Sequence, residues 1–518
     1  MPSSRTSRSM TSDARRFRRL QRRLAPLFER IMPDPRAPRG VVVIPSLSVA
    51  PDVLGRIVGA KHYEERMLSM LMLLRLPETS VTFVTSEPVD PVIIDYYLHL
   101  LPGIPSDHAR RRLALLSCYD GSMRGLTTKI LERPRLVQRI RESIPDPALA
   151  HMTCYNATAA ERSLALALDI PMYACDPDLL PVGSKSGSRE AFREAGVACP
   201  DGFEHMRDAA DVAGALAALK RRHPTLRRAV VKLDEGFSGE GNALFSFDDC
   251  PAGAGLAAWI RRELPTRLVC EAPGLTWEPY MAALQEMGGI VECFVEGSDK
   301  QSPSVQCRID PRGPIEVIST HDQVMGGRND QVFLGSSFPA AAAYRLAIQD
   351  AATRVARVLR RRGILGRFGI DFISVPRGTE WEHYALEINL RKGGTSHTFM
   401  TLQFLTDGAY DAGTGLFLTP AGLSRYYRAS DNLQSDSYRR LTPVDLIDIA
   451  VHNGLHFDGA TQQGVAFHLI GAVSEFGKLG MVCVADSPEG AGRLYAHTVK
   501  VLEREARKGR RVTTAAHR

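Results

Sequence analysis

The chain has 518 residues, 44% of them hydrophobic and 24% charged, which is globular in composition and too long for one ordinary core, so two to four domains are expected. Its formal charge is +7, yet the first 39 residues alone hold eleven arginines against three acids, so the rest is close to neutral and a general nucleic-acid surface is excluded. No apolar run is long enough to span a bilayer, the N-terminus lacks the apolar stretch of a secretory signal, and nine scattered cysteines without a CxxC pair argue against zinc or disulfide frameworks and for reduced thiols in a cytoplasmic protein.

The basic leader, residues 1–39, carries Phe17, Leu20, Leu24, Leu27, Phe28 and Ile31 at helical spacing after Ser12 and Asp13, which predicts an amphipathic helix. An Arg-rich helix of this kind fits a membrane surface or a targeting role; a helix docked on the body of the protein is the favoured alternative. From residue 40 to 177 strand and helix patterns alternate. VVVIPSL (41–47), VTFVTS (81–86), LALLSCYD (113–120), HMTCYN (151–156) and PMYACD (171–176) read as strands, with helices at 64–76, 91–101, 126–142 and 158–168 between them. This alternation predicts a parallel α/β sheet. No GxGxxG lies in its turns, so a dinucleotide site is not supported.

From residue 185 the texture changes. Helices are predicted at 188–195, 208–222 and 340–362, and strands at 229–234, 268–272, 289–297, 367–375 and 382–390. Short strands at 465–470 and 480–484 precede a charged helix at 488–508, and the Gly/Pro/Ser-rich stretch 411–424 reads as a linker.

The chemistry concentrates in EHYALEINL (382–390). Side chains alternate along a strand, so Glu387 and Asn389 share one face, about 7 Å apart, with Tyr384, Leu386 and Ile388 on the other. In RFGIDFISV (367–375), Asp371 faces away from Phe368, Ile370 and Phe372. Two neighbouring strands then converge an Asp, a Glu and an Asn, hard oxygen ligands suited to Mg²⁺, with Mn²⁺ as an alternative. Upstream, Lys232 ends an apolar strand and precedes the turn EGFSGEGN (235–242), whose Gly236, Ser238, Gly239 and Gly241 let backbone N–H groups approach phosphate oxygens. Lys185 precedes a helix. Glu292, Val295, Glu296 and Asp299 mark a strand running into an acidic turn, where free backbone groups can meet an adenine edge and an acid a ribose.

These pieces, in this order over roughly 180–400, resemble the ATP-grasp superfamily. Within it the segment Glu387-Ile388-Asn389-Leu390-Arg391-Lys392-Gly393-Gly394-Thr395 is similar to the peptide ligases related to the pheganomycin ligase. The resemblance leaves the leader (1–39) unmatched and implies an α/β protein with three further parts: a Rossmann-like pre-ATP-grasp domain (40–177), an ATP-grasp core with a lid (178–410) and a small C-terminal α+β domain (425–510). It implies that Lys185 and Lys232 bind the α- and β-phosphates and that residues 235–242 close over the triphosphate. Glu292 and the backbone at Val295 would hold adenine, Asp299 or Glu296 the ribose, and Asp371, Glu387 and Asn389 the metal. Arg391, Gly393 and Gly394 would supply oxyanion donors. Cys293 departs from the more polar hinge of many members. The implied activity joins a small carboxylic or amino acid to a peptide or other amine at the expense of ATP, through an acyl phosphate. A ligase of free amino acids and a nucleotide-binding scaffold without turnover remain as alternatives; a homodimer is compatible with either. His321-Asp322-Gln323 with Gly326-Gly327, and Ser396-His397, are candidate substrate contacts.

Overall fold

The computed structural model describes residues 12–49, 51–235, 241–272, 274–326 and 332–515. Gly236, Ser238, Gly239 and Gly327 lie outside them. Three sheets organise the chain.

The first is wholly parallel, in the order Leu113–Ser117, Thr79–Thr85, Arg39–Ile44, Ala150–Cys154. Its central strand is buried end to end because both faces are covered. Val41 and Val43 join one apolar cluster, and Val42 and Ile44 another. A continuous apolar run is the expected signature of that arrangement. The predicted fifth strand at 171–176 reduces to a single bridge between Met152 and Met172. The side-chain amide of Gln21 closes the outer edge of that bridge: it accepts from Met172 N (2.7 Å) and donates to Met172 O (2.8 Å), taking the hydrogen bonds a further strand would take.

Gln21 belongs to the leader, which folds as two helices, Ser12–Gln21 and Leu24–Ile31. All six predicted apolar residues are buried. Leu24, Leu27, Phe28 and Ile31 form a cluster of their own with Ala37. The leader is therefore docked on the body, as favoured. The predicted helix at 64–76 is instead a run of 3₁₀ turns over Ala60–Arg75.

The second sheet is antiparallel: Gly202–Met206, Gly289–Cys293, Arg228–Leu233, Asn242–Ser246, Leu268–Cys270. The third has ten strands. It begins with Glu380–Asn389, Gly366–Arg377, Pro303–Ile309, Ile315–Gly326 and Val332–Phe338, then passes to Ser424–Gln434. Strand Ser424–Gln434 also pairs with Lys478–Ala485, which pairs with Gly464–His468. The C-terminal strands thus continue the sheet that begins at Glu380–Asn389. Stretch 411–424 is not a linker. Ala409–Asp411 and Leu416–Leu418 form a hairpin, its turn held by the Asp411 carboxylate, which accepts from Gly413 N (3.0 Å) and Thr414 Oγ1 (2.7 Å). The segment Gly202–Met206 and the strands between 303 and 338 escaped the sequence reading. In the strands between 303 and 338 polar and apolar residues mix because one face lines a cleft.

Candidate active site

One cleft of about 1070 Å³ opens between the three sheets. Lys185, Lys232, Glu292, Val295, Asp371, Glu387, Asn389, Arg391, Gly393 and Gly394 all line it. Gly241, Glu296 and Asp299 do not.

Strand register builds the acidic end. Asp371 lies directly opposite Glu387, and Gly369 opposite Asn389. Alternation then breaks, because Phe372 pairs with Ala385 and leaves Leu386 as the extra residue of a bulge. Leu386 consequently lines the cleft, and the core positions of this strand are Ala385 and Ile388 rather than Tyr384 and Leu386. The Asn389 amide donates to Asp371 Oδ2 and to Glu387 Oε1, both at 3.0 Å. A third contact comes from Gln323, whose amide donates to Asp371 Oδ1 at 2.9 Å. Two carboxylates forced together in a site withdrawn from water divide the charge. Desolvation, followed by the charge of Glu387, pushes the Asp371 carboxyl well up. Glu387 suffers the same desolvation, but its ion pair with Lys185 keeps it low.

The lysines are set by the end of strand Arg228–Leu233. Asp234, just beyond it, accepts from Ser186 N (2.7 Å) and Ser186 Oγ (3.1 Å). Helix Lys185–Ala195 is thereby pinned to that strand, and Lys185 is brought into the same cleft as Lys232. Glu292 holds Lys232 at 2.6 Å and Arg189 at 2.8 Å, one on each carboxylate oxygen. It is the strut of this wall. Beyond it the chain leaves the sheet, and neither N–H nor C=O of Val295 has a hydrogen-bond partner among the described residues. Glu296 is taken by Arg228 at 2.9 and 2.5 Å, contacts that lower its pKa. Asp299 sits exposed at φ +58°.

At the other end, helix Gly394–Thr406 starts at the cleft, and Gly394 and Thr395, in the first turn where a helix leaves N–H groups without an internal partner, line it. A Cβ at residue 394 would lie 2.7 Å from Cε1 of Phe333, so the turn accepts only glycine without a shift there. Ser396 closes the turn, accepting from Gly393 N and donating to Gln306 Oε1, both at 2.9 Å. Of the weaker candidates, Gln323 reaches the site. Asp322 instead holds Ala341 N (2.9 Å) and the Tyr344 hydroxyl (2.6 Å). His321 is buried against Tyr427, and His397 against His468 at 3.1 Å between Nε2 atoms. Sequence reasoning missed Ser304 and Gln306 on strand Pro303–Ile309. Ser304 pairs in register with Asp371, and its buried hydroxyl has no partner among the described residues.

Comparison with known proteins agrees with this geometry. Residues 254–413 match the family model described as IQCH-like, ATP-grasp, and residues 445–498 match the PGM1 C-terminal domain. The chain is 31% identical over 470 residues to L-propargylglycine–L-glutamate ligase of Streptantibioticus cattleyicolor, covering 89% of this chain and 93% of that one. It is 22% identical to IQ motif-containing protein H of Danio rerio over 90% of its own length and 49% of that protein, so it spans about half of that relative. Among solved structures it is similar to biotin carboxylase of Campylobacter jejuni in complex with an ATP analogue (TM-score 0.51, 12% identity, 88% and 89% of the two chains). A second is the biotin carboxylase domain of the Hydrogenobacter thermophilus 2-oxoglutarate carboxylase bound to MgADP (TM-score 0.50, 11% identity, 88% and 89%). At that identity these two speak for the fold. The chain belongs to the ATP-grasp superfamily, among its ATP-dependent ligases that join a carboxylate to an amine.

Proposed function

We propose that this cleft binds MgATP and joins two amino acids, or an amino acid and a short peptide, through an acyl phosphate. The observation that carries the reading is the meeting of Asp371, Glu387 and Asn389 with Lys185 and Lys232 in one cleft. The relative from Streptantibioticus cattleyicolor, named for two amino-acid substrates, supports the substrate class.

The residues present fit a divalent cation. Two facing carboxylates and an amide are a hard-oxygen set, and their mutual repulsion asks for positive charge. Asn389 would turn its oxygen inward to join Asp371 and Glu387. When bound, Mg²⁺ neutralises phosphate charge and orients the terminal phosphoryl group. Every other part falls to the chain. Lys185, released from Glu387, and Lys232, braced by Glu292, hold the α- and β-phosphates, with residues 235–242 as their cover. The unpartnered backbone of Val295 meets the adenine edge, Glu292 backs that wall, and Asp299 or Glu296 meets the ribose. A carboxylate oxygen attacks the γ-phosphorus, the bond to the bridging oxygen breaks, and ADP leaves. The amine then attacks the acyl carbon. Arg391 and the N–H group at Gly394 stabilise the oxyanion, the expected donor at Gly393 being already taken by Ser396 Oγ, until phosphate departs with the C–O electron pair, and the amine proton passes to solvent.

The test is a mass spectrum of products formed from ATP, Mg²⁺, pooled amino acids and short peptides. A new mass equal to two substrates less one water, together with ADP, is expected. ATP left intact with every pool contradicts the reading and favours a scaffold.

A further inference from the structure

Beyond the Gly393–Gly394 turn the cleft continues along a wall that the ATP reading leaves unused. Lys392 joins the two parts. Its backbone N–H donates to the Tyr155 carbonyl at 3.0 Å, and its ammonium is tied to Thr153 Oγ1 (3.1 Å) and the Cys154 carbonyl. Tyr155 is thereby fixed next to the turn that holds the proposed oxyanion donors. The Arg66 guanidinium lies 4.7 Å from the centre of the Tyr155 ring and 4.2 Å from that of Tyr63. The 3₁₀ run Ala60–Arg75 explains the second contact: at three residues per turn, side chains i and i+3 eclipse, which stacks Arg66 on Tyr63. Lys478, from the far sheet, donates to the Tyr63 hydroxyl at 2.9 Å and the Val58 carbonyl at 3.3 Å.

Charge does not balance here. Arg66 and Lys478 are 6% and 4% exposed, and Asp431, 7% exposed, is the carboxylate beside them. Its contact with Arg66, 3.4 Å, is long for a charge-assisted bond. Both hydrogen bonds of Lys478 end on neutral oxygens. Arg66 Nη2 has no hydrogen bond among the described residues. Glu65 turns the other way, accepting from Gly471 N at 3.1 Å. Two buried cations against one carboxylate call for an anion. The phosphates already have Lys185 and Lys232. The carboxylate to be phosphorylated must lie against the γ-phosphate at the Asp371–Glu387 end.

We propose that Arg66 and Lys478 bind a carboxylate of an amino-acid substrate that survives the reaction, with Tyr63 and Tyr155 fixing the plane of the guanidinium. The assignment rests on the amino-acid ligase reading. Stacking holds the guanidinium fork in place for bidentate pairing, which a lysine would not reproduce. That carboxylate sits either on the amine-bearing substrate or as a second carboxylate on the acid.

Thermal shift of the full-length protein tests this without turnover. The probes are AMP-PNP with Mg²⁺, then each amino acid and its carboxamide. At least one amino acid should raise the melting temperature and its carboxamide should not. Arg66→Met should abolish that increment and keep the one from AMP-PNP, and Arg66→Lys should weaken the apparent affinity about tenfold. If Arg66→Met melts without a cooperative transition, Lys478→Met is read in its place, with the same loss expected. No increment with any amino acid, equal increments from acid and amide, or an increment that persists in the variant overturns the proposal. Where turnover is present, the substrate whose KM rises about tenfold in Arg66→Lys identifies which partner carries the carboxylate; a KM rise for ATP alone also overturns it. Amino-acid increments without ADP formation would leave this site standing and remove the ligase reading.

Discussion

The two ends of the cleft are built differently. The end proposed for the nucleotide takes its candidate metal ligands from one pair of adjacent strands and its lysines from a helix and a strand locked by Asp234. The far end draws Tyr63 and Arg66 from the 3₁₀ run, Tyr155 from the parallel sheet, and Asp431 and Lys478 from strands near the C-terminus. At one end the acidic set comes from a single strand pair, with paired polar groups waiting for ligand. The other is assembled across the whole chain and keeps an unbalanced cation. A common nucleotide needs a common cradle, while partner substrates can be changed by altering residues scattered over four segments of the chain.

Substitutions separate the two ends. The largest effect is expected for Asn389→Ala, which removes the amide bridging Asp371 and Glu387. Phosphate release at saturating ATP should fall about 10²–10³-fold with the fold retained by circular dichroism. Unchanged release would detach the acidic end from catalysis. Lys232→Ala should weaken ATP binding about 10–100-fold by calorimetry, while amino-acid increments in the thermal assay persist. Loss of both together would mean that the ends are not independent. Gln21→Ala probes the support beneath Tyr155, because Gln21 closes the edge beside Ala150–Cys154. It should cost about 1–2 kcal/mol in denaturant unfolding, with ATP affinity unchanged. A pH-dependent effect, confined to stability, concerns Glu64, next to Tyr63. Burial raises its carboxyl to about 7, despite hydrogen bonds from Ser86 N and Oγ, both 2.6 Å, that lower it. An acid with a raised native pKa binds more protons folded than unfolded, so its destabilisation grows from about pH 4.5 to 7 and is complete above that. Glu64→Gln should flatten the fall in stability across this window; a parallel pH curve would show that Glu64 does not titrate there.

Much of the nucleotide end was legible in the sequence because its signals are short-range. Glu387 and Asn389 are two residues apart at the apolar end of their strand, and Asp371 is the one acid on the neighbouring strand. Period-2 alternation failed only at Leu386, where a bulge, invisible in the sequence, turned an apolar side chain into the cleft. Helix and strand positions in the parallel sheet followed apolar runs buried on both faces. The 171–176 segment pairs with Ala150–Cys154 only at Met172, and its outer edge is closed by the side-chain amide of Gln21 rather than by a further strand. Strands 303–338 were missed because cleft-lining polar residues such as Ser304, Gln306 and Gln323 blur the apolar pattern. Nothing local marks Arg66 or Lys478, which are ordinary basic residues until the fold brings residues 63, 66, 155, 431 and 478 together.

The central claim is that the Asp371–Glu387–Asn389 end turns over ATP. ADP formation by Glu387→Gln relative to the wild-type chain, with Mg²⁺ and pooled amino acids, tests it most directly. The account predicts amino-acid-dependent ADP from the wild-type protein and less than about one-hundredth of that rate from the variant. Equal rates from the two would contradict it.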